Sequence, residues 1–89
     1  MQTLHLLITG KVQGVFFRAK AKEEAVKYGI KGWIKNTHDN NVEALITGEP
    51  DLLDLFIEWC KRGPEKARVK EVLVSKHPEK EFDDFEIVR

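Results

Sequence analysis

Apolar positions in this chain alternate first with period two and then with the period of a helix. Leu4, Leu6 and Ile8 alternate with Thr3, His5, Leu7 and Thr9, as in a strand with one better-buried face. A glycine-bracketed segment follows, Gly10-Lys11-Val12-Gln13-Gly14. Phe17, Ala21, Ala25 and Tyr28 then recur at spacings of 4, 4 and 3, which aligns them on one helical face. Gly29 suits the position just past a helix end. Ile30 to Asn36 reads as a second strand. Thr37 to Asn41 is polar and turn-like, and its Asp39-Asn40-Asn41 run accepts left-handed φ. Val42, Ala44 and Ile46 alternate with Glu43, Leu45 and Thr47, giving a third strand and a hairpin. Pro50 lies in the first turn of a second helix, whose buried stripe is Leu52, Leu53, Phe56, Ile57 and Cys60. Gly63-Pro64 stops that helix. Val69, Val72 and Val74 predict a fourth strand with a bulge, and Phe85 and Ile87 a short fifth.

The order is β-α-β-β-α-β plus a last short strand. It predicts an α+β fold, an α/β sandwich of the ferredoxin-like split βαβ type, with an antiparallel sheet carrying two helices on one face. The first strand, first helix and second strand form a right-handed crossover, so those two strands run parallel. Their carboxyl ends then share one edge of the sheet. The Gly10–Arg18 loop leaves the first strand at that edge, and Asn36 ends the second strand there. Arg18 and Asn36 are therefore expected to be neighbours in space.

Length and charge narrow the classes. At 89 residues the chain has core enough for one domain, residues 1–89, and too little for two. Its 15 basic and 15 acidic residues cancel, which argues against a nucleic-acid binder. One cysteine, Cys60, makes no intrachain disulfide and favours a reducing cytoplasm. No apolar run is long enough for a membrane span, and no signal peptide is visible. The zero is nonetheless uneven. Residues 1–37 hold seven Lys/Arg and two acids, a net +5, and the remainder carries −5. The pattern fits either an ordinary solvated surface or a small-anion site in the first third.

The segment Gly10–Arg18 supplies the chemistry for the second reading. Glycines let a backbone curl so that successive N–H groups point into one concavity. The helix that follows adds unpaired N–H groups and a partial positive charge. Arg18, in its first turn, has a planar fork able to grip two oxygens of a tetrahedral anion. A cation is disfavoured at a helix N-terminus, so its placement there makes better sense with an anion beside it. The plainer alternative is a tight strand-to-helix turn with an exposed arginine. The spacing of Gly10 and Gly14 matches neither a Walker loop nor a dinucleotide fingerprint.

Ile8-Thr9-Gly10-Lys11-Val12-Gln13-Gly14-Val15-Phe16-Phe17-Arg18 resembles the first signature of the acylphosphatases. Gly32-Trp33-Ile34-Lys35-Asn36-Thr37-His38-Asp39-Asn40-Asn41-Val42, with Gly48 further on, resembles the second, and the tail Asp84–Arg89 is similar to that family's. Asn40 stands where glycine is usual, and Ile34 where a smaller residue is usual. The resemblance implies metal-free hydrolysis of an acyl phosphate to carboxylate and inorganic phosphate, with no cofactor. It implies that Arg18 binds phosphate, that the backbone of Gln13, Gly14, Val15, Phe16, Phe17 and Arg18 cradles it, and that Asn36 orients the attacking water. A small-molecule acyl phosphate is then the partner of a cytoplasmic monomer, with no nucleic acid and no membrane.

Other residues read as structure. His5, His38 and His77 lack metal-ligand spacing. Cys60 reads as buried packing, and Trp33 and Trp59 as packing too. Two rivals remain: a non-catalytic acyl-phosphate or carbamoyl-phosphate binding module, and an RNA-binding domain of this fold. The second would need the aromatic strand motif that is missing here.

Overall fold

The computed structural model describes residues 1–89. Its elements are β1 (Gln2–Lys11), α1 (Phe17–Lys27), β2 (Lys31–Asn36), β3 (Val42–Gly48), α2 (Pro50–Arg62), β4 (Arg68–His77) and β5 (Phe85–Val88). The five strands form one sheet in the order β4-β1-β3-β2-β5. β3 lies antiparallel between β1 and β2, so β1 and β2 run parallel, as the crossover rule requires. The sheet is mixed rather than wholly antiparallel, because β5 joins β2 in parallel, pairing Gly32 with Phe85 and Ile34 with Ile87. The segment after β4 is long enough to bring the chain back to the far edge, and that return fixes the direction.

Leu4, Leu6 and Ile8 lie on the face that α1 and α2 cover, with Ala44, Ile46 and Ile34 beside them. Phe17, Ala21 and Ala25 of α1 and Leu53, Phe56, Ile57 and Cys60 of α2 complete one core. Leu52 stays half-buried at the edge of the α2 stripe. Ile34 is fully buried opposite Ala44, and the small partner makes room for the larger residue. α1 ends in a Schellman motif. Gly29, at φ +67, donates to Val26, and the N–H of Ile30 donates to Ala25 at 2.8 Å.

β1 runs two residues further than the alternation predicts, because Gly10 and Lys11 pair with Val69 and Arg68 across a bulge at Lys70. Gly10 is required at this point. It sits at φ +118, and a Cβ there would lie 2.2 Å from the Arg68 carbonyl oxygen. The bulge lies on β4, and the pairing it restores carries β1 on to Lys11, which sets where the following loop begins.

Candidate active site

The loop between β1 and α1 is held by two buried valines, Val12 and Val15. Gly14 has φ +72, Val15 does not have positive φ, and Phe16 has φ +64. Such alternation turns successive N–H groups toward one side. The N–H groups of residues 13 to 18 donate to no acceptor in the protein, and the first backbone bond of α1 runs from Lys20 to Phe16 at 3.1 Å. α1 carries no acid in its first turn. Arg18 is half-buried there and pairs with no carboxylate. The concavity therefore collects N–H dipoles, a helix N-terminus and a guanidinium, a set suited to a tetrahedral anion. Left-handed φ on phenylalanine costs of order 1–3 kcal/mol. Nothing in the local sequence singles out Phe16 for it.

Asn36 ends β2 half-buried, and its side-chain amide makes no hydrogen bond within the protein. The turn after it is well tied. The N–H of Thr37 donates to the Asn41 carbonyl at 2.9 Å, and the N–H of Asn41 to Thr37 Oγ1 at 3.0 Å. Asn40 adopts φ +71, so asparagine does fill the left-handed position. The Thr37 hydroxyl donates to the Asp39 carboxylate, and this bond above all holds the Asp39 pKa below its ordinary 3.8.

Gln13 joins the two halves. Its side-chain amide donates to the Thr37 carbonyl at 3.0 Å and to the Asn41 carbonyl at 2.8 Å. The side chain of a residue in the β1–α1 loop thus clamps the turn that follows Asn36. The family resemblance implies a role in the cradle for the Gln13 backbone alone.

A cavity of about 470 Å³ opens at the shared strand edge. Arg18 and Asn36 both line it, with Val12, Gly14 and Phe16 of the loop, Phe17 and Ala19 of α1, Ile87 and Arg89. Of the six cradle residues, Gln13 and Val15 do not line it. The Gln13 amide is committed to the turn, and the Val15 side chain is buried. Ile87 and Arg89 were not singled out from the sequence; their position in the tail was the only signal. β5 brings them here by its parallel pairing with β2.

The remaining candidates lie elsewhere. His38 is exposed in the turn. His5 Nε2 meets Glu43 Oε2 at 2.6 Å. Trp59 packs on Phe17 with ring centroids 5.4 Å apart. Burial pushes the Cys60 thiol up, so it is a poor nucleophile. No three His, Cys, Asp or Glu side chains gather as a metal site. No helix is long and apolar enough to cross a membrane.

Fold and cleft together define a class: a ferredoxin-like α+β sandwich with its cleft at the common end of two parallel strands. Comparison with known proteins then gives the family. A family model described as acylphosphatase matches residues 4–87. An acylphosphatase of Pyrobaculum islandicum is 52% identical over 86 residues, covering 94% of this chain and 90% of that one. The crystal structure of an acylphosphatase from Bacillus subtilis superposes with a TM-score of 0.95 at 34% identity, each chain covered in full. Full-length HypF, solved in a phosphate- and nucleotide-bound form, contains a similar segment: TM-score 0.89, 31% identity, 99% of this chain and 12% of that one. The chain belongs to the acylphosphatase family, and that membership makes it an enzyme of the acylphosphatase kind.

Proposed function

We propose that the chain hydrolyses the carboxyl–phosphate anhydride of small acyl phosphates to carboxylate and inorganic phosphate, without metal or cofactor. The observation that carries this reading is one cavity lined by Arg18, by Asn36 and by a loop whose N–H groups have no partner in the protein. The leaving group is a carboxylate with an ordinary pKa of about 4, so it departs unprotonated and needs no general acid. Phosphoryl transfer passes through a loose transition state with charge on three equatorial oxygens. Catalysis then reduces to positioning and charge stabilisation. Arg18 and the N–H groups of residues 13 to 18 hold the phosphate and meet that charge. The Asn36 amide orients a water in line with the scissile bond, and it is no base at ordinary pH. A phosphate oxygen of the substrate accepts the proton of the water. In this reading residues 1–89 act as one domain, a monomer in the cytoplasm.

The second reading is a non-catalytic acyl-phosphate or carbamoyl-phosphate binding module; the chain is also similar to a segment making up 12% of full-length HypF, a larger protein solved in a phosphate- and nucleotide-bound form. Phosphate release from benzoyl phosphate separates the two, because a binding module does not turn over. Arg18→Ala is expected to lower kcat/KM about 10³-fold and to abolish inhibition by inorganic phosphate while staying folded. Asn36→Ala is expected to keep phosphate inhibition and lose turnover. A chelator is expected to change nothing. Near-normal turnover by Arg18→Ala overturns the site assignment.

A further inference from the structure

Phe16 combines features that protein stability does not explain. Its backbone is held at φ +64, where a glycine would sit without strain. Its ring is 75% exposed, so burial returns little for that strain. Phe16 lines the cavity that Arg18 and Asn36 line, and it also borders a smaller one beside Val15, Lys20 and Pro64. The left-handed backbone serves the N–H cradle, and the exposed aromatic side chain it carries at the cleft is left for a contact with a ligand rather than with the protein.

The cavity has two characters. Arg18, Asn36 and the loop N–H groups are polar and suit the phosphate. Phe16, Val12 and Ile87 supply an apolar wall. At about 470 Å³ it lies within the ~300–1,000 Å³ range of small-molecule sites, so it holds more than a phosphate ion. The phosphate and acyl ends of one substrate are covalently joined. With phosphate seated on the loop, the acyl group must lie close by.

We propose that the Phe16 ring, backed by Val12 and Ile87, is the acyl-group subsite and selects acyl phosphates with aromatic or bulky apolar acyl groups over small or anionic ones. This inference rests on the hydrolysis reading for its substrate and deepens it by naming the acyl class. Arg89 lines the same cavity and supports the contrary expectation, a preference for an anionic acyl group. Arg89 is exposed and its cation is solvated, whereas the Phe16 ring gains most from being covered.

The test compares benzoyl, acetyl and succinyl phosphate on the wild type, Phe16→Ala and Phe16→Gly. The two variants both remove the ring, and glycine also relieves the left-handed φ. The wild type is expected to favour benzoyl over acetyl phosphate in kcat/KM. In both variants the benzoyl-to-acetyl ratio is expected to fall by up to about tenfold, the scale of one aromatic pair, and chiefly through KM. Inhibition by inorganic phosphate reads the loop separately. If phosphate inhibition and all three substrates decline together while the ratio holds, the ring serves only the loop and the proposal fails. A wild-type preference for succinyl phosphate overturns it in favour of Arg89. Calorimetric binding of benzoylphosphonate and acetylphosphonate, whose carbon–phosphorus bond is not hydrolysed, makes the same comparison without turnover. Absence of phosphate release therefore refutes the hydrolysis reading alone. Equal phosphonate affinities refute the acyl subsite.

Discussion

Replacing Gln13 with alanine removes the two hydrogen bonds that bind the β1–α1 loop to the turn following Asn36. Each bond contributes about 0.5–1.5 kcal/mol net, so the pair stabilises the protein by about 1–3 kcal/mol. In a domain of this size about 1 kcal/mol corresponds to ~4–8 °C in Tm, so a fall of at least about 4 °C is expected. The turn itself survives, because Thr37 and Asn41 still bond each other. What is lost is the distance and angle between the β1–α1 loop and the Asn36 amide. A misplacement of ~1 Å at a reacting centre costs up to about 10²-fold, so kcat is expected to fall about 10–100-fold. Inhibition by inorganic phosphate reads the loop alone and is expected to change little. Gln13→Glu sharpens the test. It is almost the same shape, but its carboxylate would point two acceptor oxygens at the Thr37 and Asn41 carbonyls. It is therefore expected to lose more stability than the alanine variant. Urea denaturation and steady-state kinetics on the three proteins measure both effects. If the glutamate variant matches the wild type, the side-chain clamp has no such role. If kcat holds in the alanine variant, the loop and turn are positioned by something else.

Gly10→Ala is expected to cost about 2–4 kcal/mol, because the new Cβ meets backbone rather than a flexible side chain; denaturation that matches the wild type would refute the account of the β1–β4 bulge. Asp39 titrates below its ordinary 3.8 because the Thr37 hydroxyl favours its charged form. A lowered pKa in the folded state means that this bond stabilises the turn fully above about pH 4 and fades as pH falls through the lowered value. An NMR titration of the Asp39 carboxyl is expected to show a midpoint below 3.8, and one at or above 3.8 contradicts it. Asn36→Asp is expected to lose turnover rather than gain a new pH optimum, and activity that follows the aspartate's titration would make residue 36 a base.

The elements were legible because their patterns are local. Alternation along residues 3–9 and 42–47, the four-residue spacings of α1 and the Gly29 stop each depend on nearby residues alone. The adjacency of Arg18 and Asn36 was legible through the handedness of one crossover, and both line the cavity. The parallel pairing of β5 was not, since it depends on where a return segment crosses the sheet. With β5 went Ile87 and Arg89. The Gln13 clamp was hidden for a related reason: a glutamine in a glycine loop looks the same whether its amide meets solvent or two carbonyls across a gap. The strain at Phe16 is imposed by its surroundings, since phenylalanine has no preference for left-handed φ. Asn40 was legible because asparagine does tolerate it.

The placing of β3 between β1 and β2 bears on how the protein comes to be active during folding. Leu4 pairs with Ile46 on one side and with Lys76 on the other, so the strand that launches the β1–α1 loop is seated only when distant parts of the chain have arrived. β2 is held in place relative to β1 only through β3. No early hairpin or helix contains both Arg18 and Asn36 in register. Such non-local pairings close late and slowly compared with helical contacts. With the proposed site, recovery of turnover on refolding is thus expected to be a clock for completion of the whole sheet, because a partly folded chain, however compact, does not bring Arg18 and Asn36 together.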